Sequence, residues 1–328
     1  IWSLGLIVWS LTMFMLGWIH YWWLFLAFRV LLGFGEGVNF PAMNRAIADW
    51  VPQEKATQAT SLALLGVPCA LLIGGPVLSW LIGEFGWRES FMALGIAGVG
   101  IFVVWLLLYR EPEQTEKRKV PTLAEYVAVL RNPTLLTTAW SFFGFGAILF
   151  FGITWIPGYF EHEFDLNLMT IGWFTTMPWA FSIVGMLLIG TLSDRLFRAS
   201  GDIRRARIHL IWILQLLAAA SFIPLASVTS SDWAVFWLTL GIGFSMSANG
   251  PYYSICTDLF PESAGAATGI IVTFFSASGV LIPFLVGWLT DSTASFDTAF
   301  LMLSGIVGSG ALGLLLFARP QRPTQLRR

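Results

Sequence analysis

Arg29 and Glu36 interrupt a run of apolar and small residues that reads Arg29-Val30-Leu31-Leu32-Gly33-Phe34-Gly35-Glu36-Gly37. Seven residues is nearly two helical turns, so the two charges share one face, about 10 Å apart along the axis. A charge at membrane depth costs on the order of 3 kcal/mol. Two on one face imply a polar cavity, or partners on other helices. Arginine stays charged and offers a planar fork that suits a carboxylate. Glutamate can take up and release a proton. The alternative is a structural ion pair that holds helices together, but direct helical pairs favour spacings of three or four. Gly33 and Gly37 add a small-xxx-small stripe, which predicts close packing against a neighbouring helix.

A second constellation follows the sixth apolar segment. It runs Gly190-Thr191-Leu192-Ser193-Asp194-Arg195-Leu196-Phe197-Arg198, with Arg204, Arg205 and Arg207 beyond it. Read as a loop, it lets Asp194 pair with a basic residue or a helix N-terminus at a gate. The alternative is a solvated loop that follows the positive-inside rule. Asn249, Tyr252 and Tyr253 place polar groups in a later apolar segment, and Thr273, Ser276 and Ser278 do so in the one after it. These can line a cavity, or serve helix packing and the interfacial aromatic belt.

Enzymatic constellations are lacking. The sequence contains no Gly-x-x-x-x-Gly-Lys-Ser/Thr loop, no His-Glu-x-x-His and no Gly-x-Ser-x-Gly. His20, His162 and His209 lie far apart near segment ends, and Cys69 and Cys256 show neither metal nor redox spacing. No metal and no cofactor is expected.

The elements that must carry these residues are membrane helices. Of 328 residues, 56% are hydrophobic and 11% charged, against roughly 25% charged in a soluble domain. Mean hydropathy is +0.74. Lipid is therefore the solvent. The net charge of −1 gives no sign of nucleic-acid binding. Ten stretches are long and apolar enough to span: 1–19, 22–44, 57–83, 87–109, 135–160, 168–193, 207–227, 233–257, 264–290 and 297–318. Between the fourth and fifth lies a charged connector, 110–134, with Glu111, Glu113, Glu116, Lys117, Arg118 and Lys119. In it Thr122 and Glu125 form a capping box ahead of Leu123, Val127 and Leu130, which predicts a short helix on the membrane surface.

If the first segment runs outward, sixteen of the eighteen Lys and Arg fall on the cytoplasmic side, including the connector and the C-terminal tail. Arg88 alone lies outside, and Arg29 within the membrane. Four segments precede the connector and six follow it. Transporters built of two six-helix halves have such a long central loop. The chain begins at Ile1, inside an apolar segment. The expectation is an all-α membrane protein with ten of twelve transmembrane helices. A remnant N-terminal half would be 1–109, the connector 110–134, and a complete C-terminal half 135–328.

The Gly190–Arg198 stretch resembles the signature Gly-x-x-x-Asp-Arg-x-x-Arg of the major facilitator superfamily. Arg29 and Glu36, seven apart and followed by Pro41-Ala42, resemble the fourth helix of its anion:cation symporter family. That family includes bacterial sugar-acid and phthalate transporters and animal vesicular glutamate and sialic acid transporters. Gly86-Trp87-Arg88 with Phe91, and Trp155-Ile156-Pro157-Gly158-Tyr159, extend the resemblance over most of the chain. It implies that Arg29 contacts a substrate carboxylate and that Glu36 carries or relays a proton. Sugar-acid members often have a Gln in the fifth helix and Asn residues in the eleventh. Here Gly66-Val67-Pro68 and Thr273, Ser276 and Ser278 stand instead, which points to a smaller or less hydroxylated anion. The expected function is proton-coupled symport of a small organic anion by alternating access, by a monomer in a bacterial inner membrane. Expected substrate contacts are Arg29, Asn249, Tyr252, Tyr253 and Ser276, with Gly190, Asp194, Arg195 and Arg198 in the gate. The alternatives are an organophosphate:phosphate antiporter, a multidrug:proton antiporter, or a non-transporting membrane sensor.

Overall fold

The computed structural model describes residues 2–109, 127 and 129–319. The surface helix expected around Thr122 and Glu125, the charged run from Glu111 to Lys119, and the tail arginines Arg322, Arg327 and Arg328 lie outside the described residues. Among the described residues there is no strand. The helices are α1 (Trp2–Leu16), α2 (Trp22–Gly37), α3 (Asn39–Trp50), α4 (Ala56–Leu64), α5 (Gly66–Phe85), α6 (Trp87–Leu108), α7 (Pro133–Phe164), α8 (Leu168–Ser200), α9 (His209–Phe222), α10 (Ser231–Ser247), α11 (Asn249–Leu259), α12 (Ala264–Thr293) and α13 (Asp297–Phe317). Among the described residues, eight helical stretches are long and apolar enough to cross a membrane. Trp2–Leu16 is apolar but shorter, and α10 with α11 occupies the remaining segment read from the sequence.

Three of those segments are broken, each by the same device. Proline has no N–H, so it cannot donate to the carbonyl four residues before it. Pro41, Pro68 and Pro251 therefore leave Gly37, Leu64 and Ser247 without that partner. The chain turns at Val38, Leu65 and Ala248, three residues before each proline. Helical bonding resumes at once, with Ala42 N–H donating to Val38 O, Cys69 N–H to Leu65 O and Tyr252 N–H to Ala248 O at 3.0, 3.0 and 3.3 Å. Pro157, Pro178 and Pro283 lie inside unbroken helices, as membrane helices tolerate.

Helix ends follow ordinary capping chemistry. Asn132 Oδ1 accepts from the N–H groups of Thr134 and Leu135 at 3.0 and 3.2 Å, ahead of Pro133 in the first turn of α7. Asn167 caps α8 through Thr170 N–H at 3.0 Å. At the far end of α8 the chain turns on Gly201, whose φ of 61° suits glycine.

The described residues form two compact units, one drawn from Ile1–Trp50 and Ile73–Val120, the other from Val51–Leu72 and Pro121–Arg328. This grouping differs from chain order, since 51–72 packs with the C-terminal helices rather than with the rest of 1–109. The first unit centres on Leu16, Ile19 and Leu32, against which Trp9, Met13, Phe25, Phe28 and Phe91 pack. The second buries Phe142, Phe151, Phe222 and Phe300 among its helices.

The expected packing through Gly33 and Gly37 is not what the structure shows. A Cβ at either position would meet nothing within 4 Å. Gly35 makes the close approach instead: a Cβ there would stand 2.8 Å from Trp9 N and 3.0 Å from Gly5 O, both backbone atoms of α1. The face of α2 turned to α1 carries Leu32 and Gly35, about 120° around the helix from Arg29 in the case of Gly35.

Candidate functional site

Arg29 and Glu36 sit at the edge of that packed face, and both are exposed. Among the described residues neither makes a hydrogen bond or a direct ion pair, although the two charges are near enough to interact through space. The guanidinium carbon of Arg29 lies over two rings, 5.3 Å from the centroid of Phe25 and 5.4 Å from that of Phe91. Its N–H groups donate no hydrogen bond among the described residues, and a carboxylate is the natural complement of a guanidinium.

The second cluster is built on Asp194, which is 2% exposed. The residues from Gly190 to Arg198 are not a loop: α8 continues unbroken to Ser200. The apolar turns of α8 hold Asp194 inward. Its Oδ1 accepts from Thr57 N–H at 3.2 Å and its Oδ2 from Gln58 N–H at 2.7 Å, both in the first turn of α4. That is a carboxylate at a helix N-terminus, where unpaired donors and the helix dipole favour negative charge. Asp194 Oδ1 also accepts from Arg207 Nη1 at 2.9 Å. Arg207 is fully buried, and its Nε donates to Asp258 Oδ2 at 3.0 Å. Gln53 Nε2 completes the cluster, donating to Asp258 Oδ1 at 2.9 Å.

Two local features aim Arg207. The chain enters α9 through a π-helical turn, Arg204–Ile208, of the kind that often marks functional positions. Asp202 caps that turn, its Oδ1 accepting from Arg204 N–H at 2.8 Å. Ser193 then bridges: its hydroxyl accepts from Arg207 Nη1 and donates to Ala206 O, both at 2.7 Å. Gly190 sits one turn before Asp194, where a Cβ would stand 2.5 Å from Ser61 Oγ of α4. Arg195 and Arg198 point outward and are exposed.

The remaining expected contacts behave differently. Tyr252 is completely buried, and its OH lies 2.6 Å from Ser141 Oγ. Tyr253 is buried with its ring edge-on to Phe142, centroids 5.7 Å apart. Both rings belong to the core of the second unit and line no open surface, because α11 turns them inward among aromatic residues of α7. Asn249 directly follows the break at Ala248, and its buried Oδ1 has no hydrogen-bond partner among the described residues. Ser276 is exposed on α12.

Sequence reasoning did not reach Asp258, Gln53 or Ser193, and it saw Arg207 only as one of a basic group. Asp258 lies 64 residues from Asp194, and Gln53 lies 205 from Asp258. No spacing rule joins them. The available signal was an acid at the end of an apolar segment.

The arrangement of long apolar helices, broken at prolines and tied by buried charge, can be compared with known proteins. The family model for the Major Facilitator Superfamily matches residues 1–283. The chain belongs to the Major Facilitator Superfamily. Its relatives in the superfamily are transporters. It is 26% identical over 309 residues to the hexuronate transporter of Bacillus subtilis, covering 90% of this chain and 73% of the relative. It is 27% identical over 304 residues to a probable sulfoacetate transporter of Cupriavidus necator, covering 88% and 70%. A probable galactarate/D-glucarate transporter of Bacillus subtilis is 24% identical over 331 residues, covering 93% and 72%. Among solved structures, the human organic anion transporter MFSD10 superposes with a TM-score of 0.74 at 13% identity, covering 95% of this chain and 76% of that one. The Escherichia coli fucose:proton symporter gives 0.69 at 12% identity, covering 97% and 84%. At such identities these superpositions establish the fold alone, an all-α major facilitator fold; the family match over residues 1–283 makes the chain an integral membrane transporter.

Proposed function

We propose that this transporter moves a small organic anion together with a proton by alternating access, Arg29 holding the anion's acid group and Glu36 carrying the proton. The observation that carries the reading is Arg29 itself. It is a permanent cation in a membrane helix, set over the rings of Phe25 and Phe91 and making no direct ion pair among the described residues. A cation so placed is a standing site for an anion.

The names of the relatives agree with this choice, since hexuronate, sulfoacetate, galactarate and glucarate are all small organic anions. The absence of amide side chains at Gly66-Val67-Pro68, and at Thr273, Ser276 and Ser278, favours the less hydroxylated members of that set. Glu36, on the same face of α2 as Arg29, supplies the titratable group. Protonated Glu36 removes one charge, the anion neutralises Arg29, and the loaded carrier reorients with less charge to desolvate. The buried cluster of Asp194, Arg207 and Asp258 with the N-terminus of α4 serves as the cytoplasmic gate in its closed arrangement.

The test is transport of labelled glucuronate, glucarate and sulfoacetate by the full-length protein in liposomes under an imposed pH gradient. Glu36→Gln is expected to lose accumulation but keep exchange of internal for external substrate. Arg29→Ala is expected to lose binding, and Arg29→Lys to restore it poorly. Accumulation against a gradient by Glu36→Gln would remove the proton role from Glu36.

A further inference from the structure

Arg29 is not simply near two aromatic residues; it occupies a corner that three of them build. Phe25 lies one turn before Arg29 on α2, so the two share a helix face. Trp87 and Phe91 are spaced in the same way on α6. The rings of Phe25 and Phe91 stand at 86° to each other with centroids 6.2 Å apart. Trp87 meets Phe25 at 6.3 Å and 80°, and Phe91 at 6.1 Å and 88°. All three contacts are edge-to-face, the favourable arrangement for aromatic quadrupoles. Neither phenyl ring can swing away without losing two such contacts. Phe25 and Phe91 are also anchored from behind, packed against the core of Leu16, Ile19 and Leu32.

We infer that Phe25 and Phe91 are positioning residues for anion binding, and that Trp87 braces them. The inference rests on the proposed role of Arg29 as the anion site. Two ring faces stabilise the guanidinium charge where a counter-ion would otherwise be required. A carboxylate counter-ion would have to be displaced by each incoming anion; ring faces need no displacement. They also hold the flexible arginine stem in one orientation, so less side-chain entropy is lost when an anion binds. The guanidinium lies over both rings, and among the described residues none of its N–H groups donates a hydrogen bond, which leaves them open to an acid group.

The experiment uses the purified full-length protein, wild type and with Phe25→Leu, Phe91→Leu, Phe91→Tyr or fluorinated phenylalanine at position 91. Fluorination weakens the ring quadrupole with little change of shape, and so serves where the leucine variants fail to fold. Two quantities are measured: the rate at which phenylglyoxal modifies Arg29, followed by peptide mass spectrometry, and the dissociation constant for glucuronate. Leucine at either position is expected to raise both by about two- to fivefold, the range set by a cation–π contact at a partly exposed site. Phe91→Tyr should stay near wild type, and successive fluorines at position 91 should shift both quantities progressively. Unchanged modification rates across the leucine and fluorinated variants would overturn the inference. If the wild-type protein binds no carboxylate while Arg29 reactivity still follows the ring series, the bracket stands and the proposed substrate class fails.

Discussion

Arg207 Nη1 lies 2.9 Å from Asp194 Oδ1, with the arginine fully buried and the aspartate nearly so. One guanidinium thus serves two buried carboxylates, since its Nε also meets Asp258. Buried charges of this kind are tolerable only when every member is satisfied. Three polar partners besides Arg207 satisfy the acids, the N–H groups of Thr57 and Gln58 for Asp194 and Gln53 for Asp258, while Ser193 aligns the arginine.

Removing the shared cation should be severe. Arg207→Ala leaves Asp194 and Asp258 buried without a counter-charge and is expected to cost about 3–5 kcal/mol. Thermal unfolding in detergent would show it as a large drop in midpoint. Adding Asp194→Asn and Asp258→Asn to the same variant should recover much of the loss, because neutral amides tolerate the site. A midpoint unmoved by Arg207→Ala would show the cluster to be loosely held and solvated.

Ser193 should matter less, and only through Arg207. Ser193→Ala removes one hydroxyl that joins Arg207 to Ala206 O, worth about 1 kcal/mol as a buried hydrogen bond. In a double-mutant cycle its effect should largely vanish once Arg207 is alanine. Additive losses would mean that Ser193 acts independently of the cluster.

The glycines of α2 should separate sharply. Gly35→Ala drives a methyl into the backbone of α1 at Gly5 and Trp9 and is expected to destabilise by about 1–3 kcal/mol. Gly33→Ala meets open space and should fall within about 0.5 kcal/mol of wild type. Equal effects at both positions would contradict the observed packing of α1 on α2.

Tyr252 distinguishes core from cavity. Tyr252→Phe removes the hydrogen bond to Ser141, at a cost of about 1 kcal/mol in stability. Glucuronate affinity should stay within a factor of two. A tenfold weaker dissociation constant would instead return Tyr252 to the substrate site that the sequence suggested for it.

The sequence by itself determined the membrane setting and the helical fold. Lipid forces every backbone group to be satisfied within its own segment, so long apolar stretches such as 87–109 and 264–290 can only be helices. Arg29 and Glu36 were legible for a related reason. Charge in an apolar helix is costly, and a spacing of seven fixes a shared face whatever surrounds it. The breaks at Val38, Leu65 and Ala248 were within reach too, since each proline three residues on removes a known donor. Contacts across the chain were decided only by tertiary structure. Gly33 and Gly37 formed the better motif, yet Gly35 faces α1, because helix rotation is set by neighbouring side chains and not by the spacing of small residues. Asn249, Tyr252 and Tyr253 have polar groups that suit either a cavity or a core, and only packing against α7 turned the two tyrosines inward. Asp258 and Gln53 meet Arg207 across gaps in sequence that carry no periodicity. Helical spacing is local, whereas the pairing of buried charges depends on which helices the fold brings side by side.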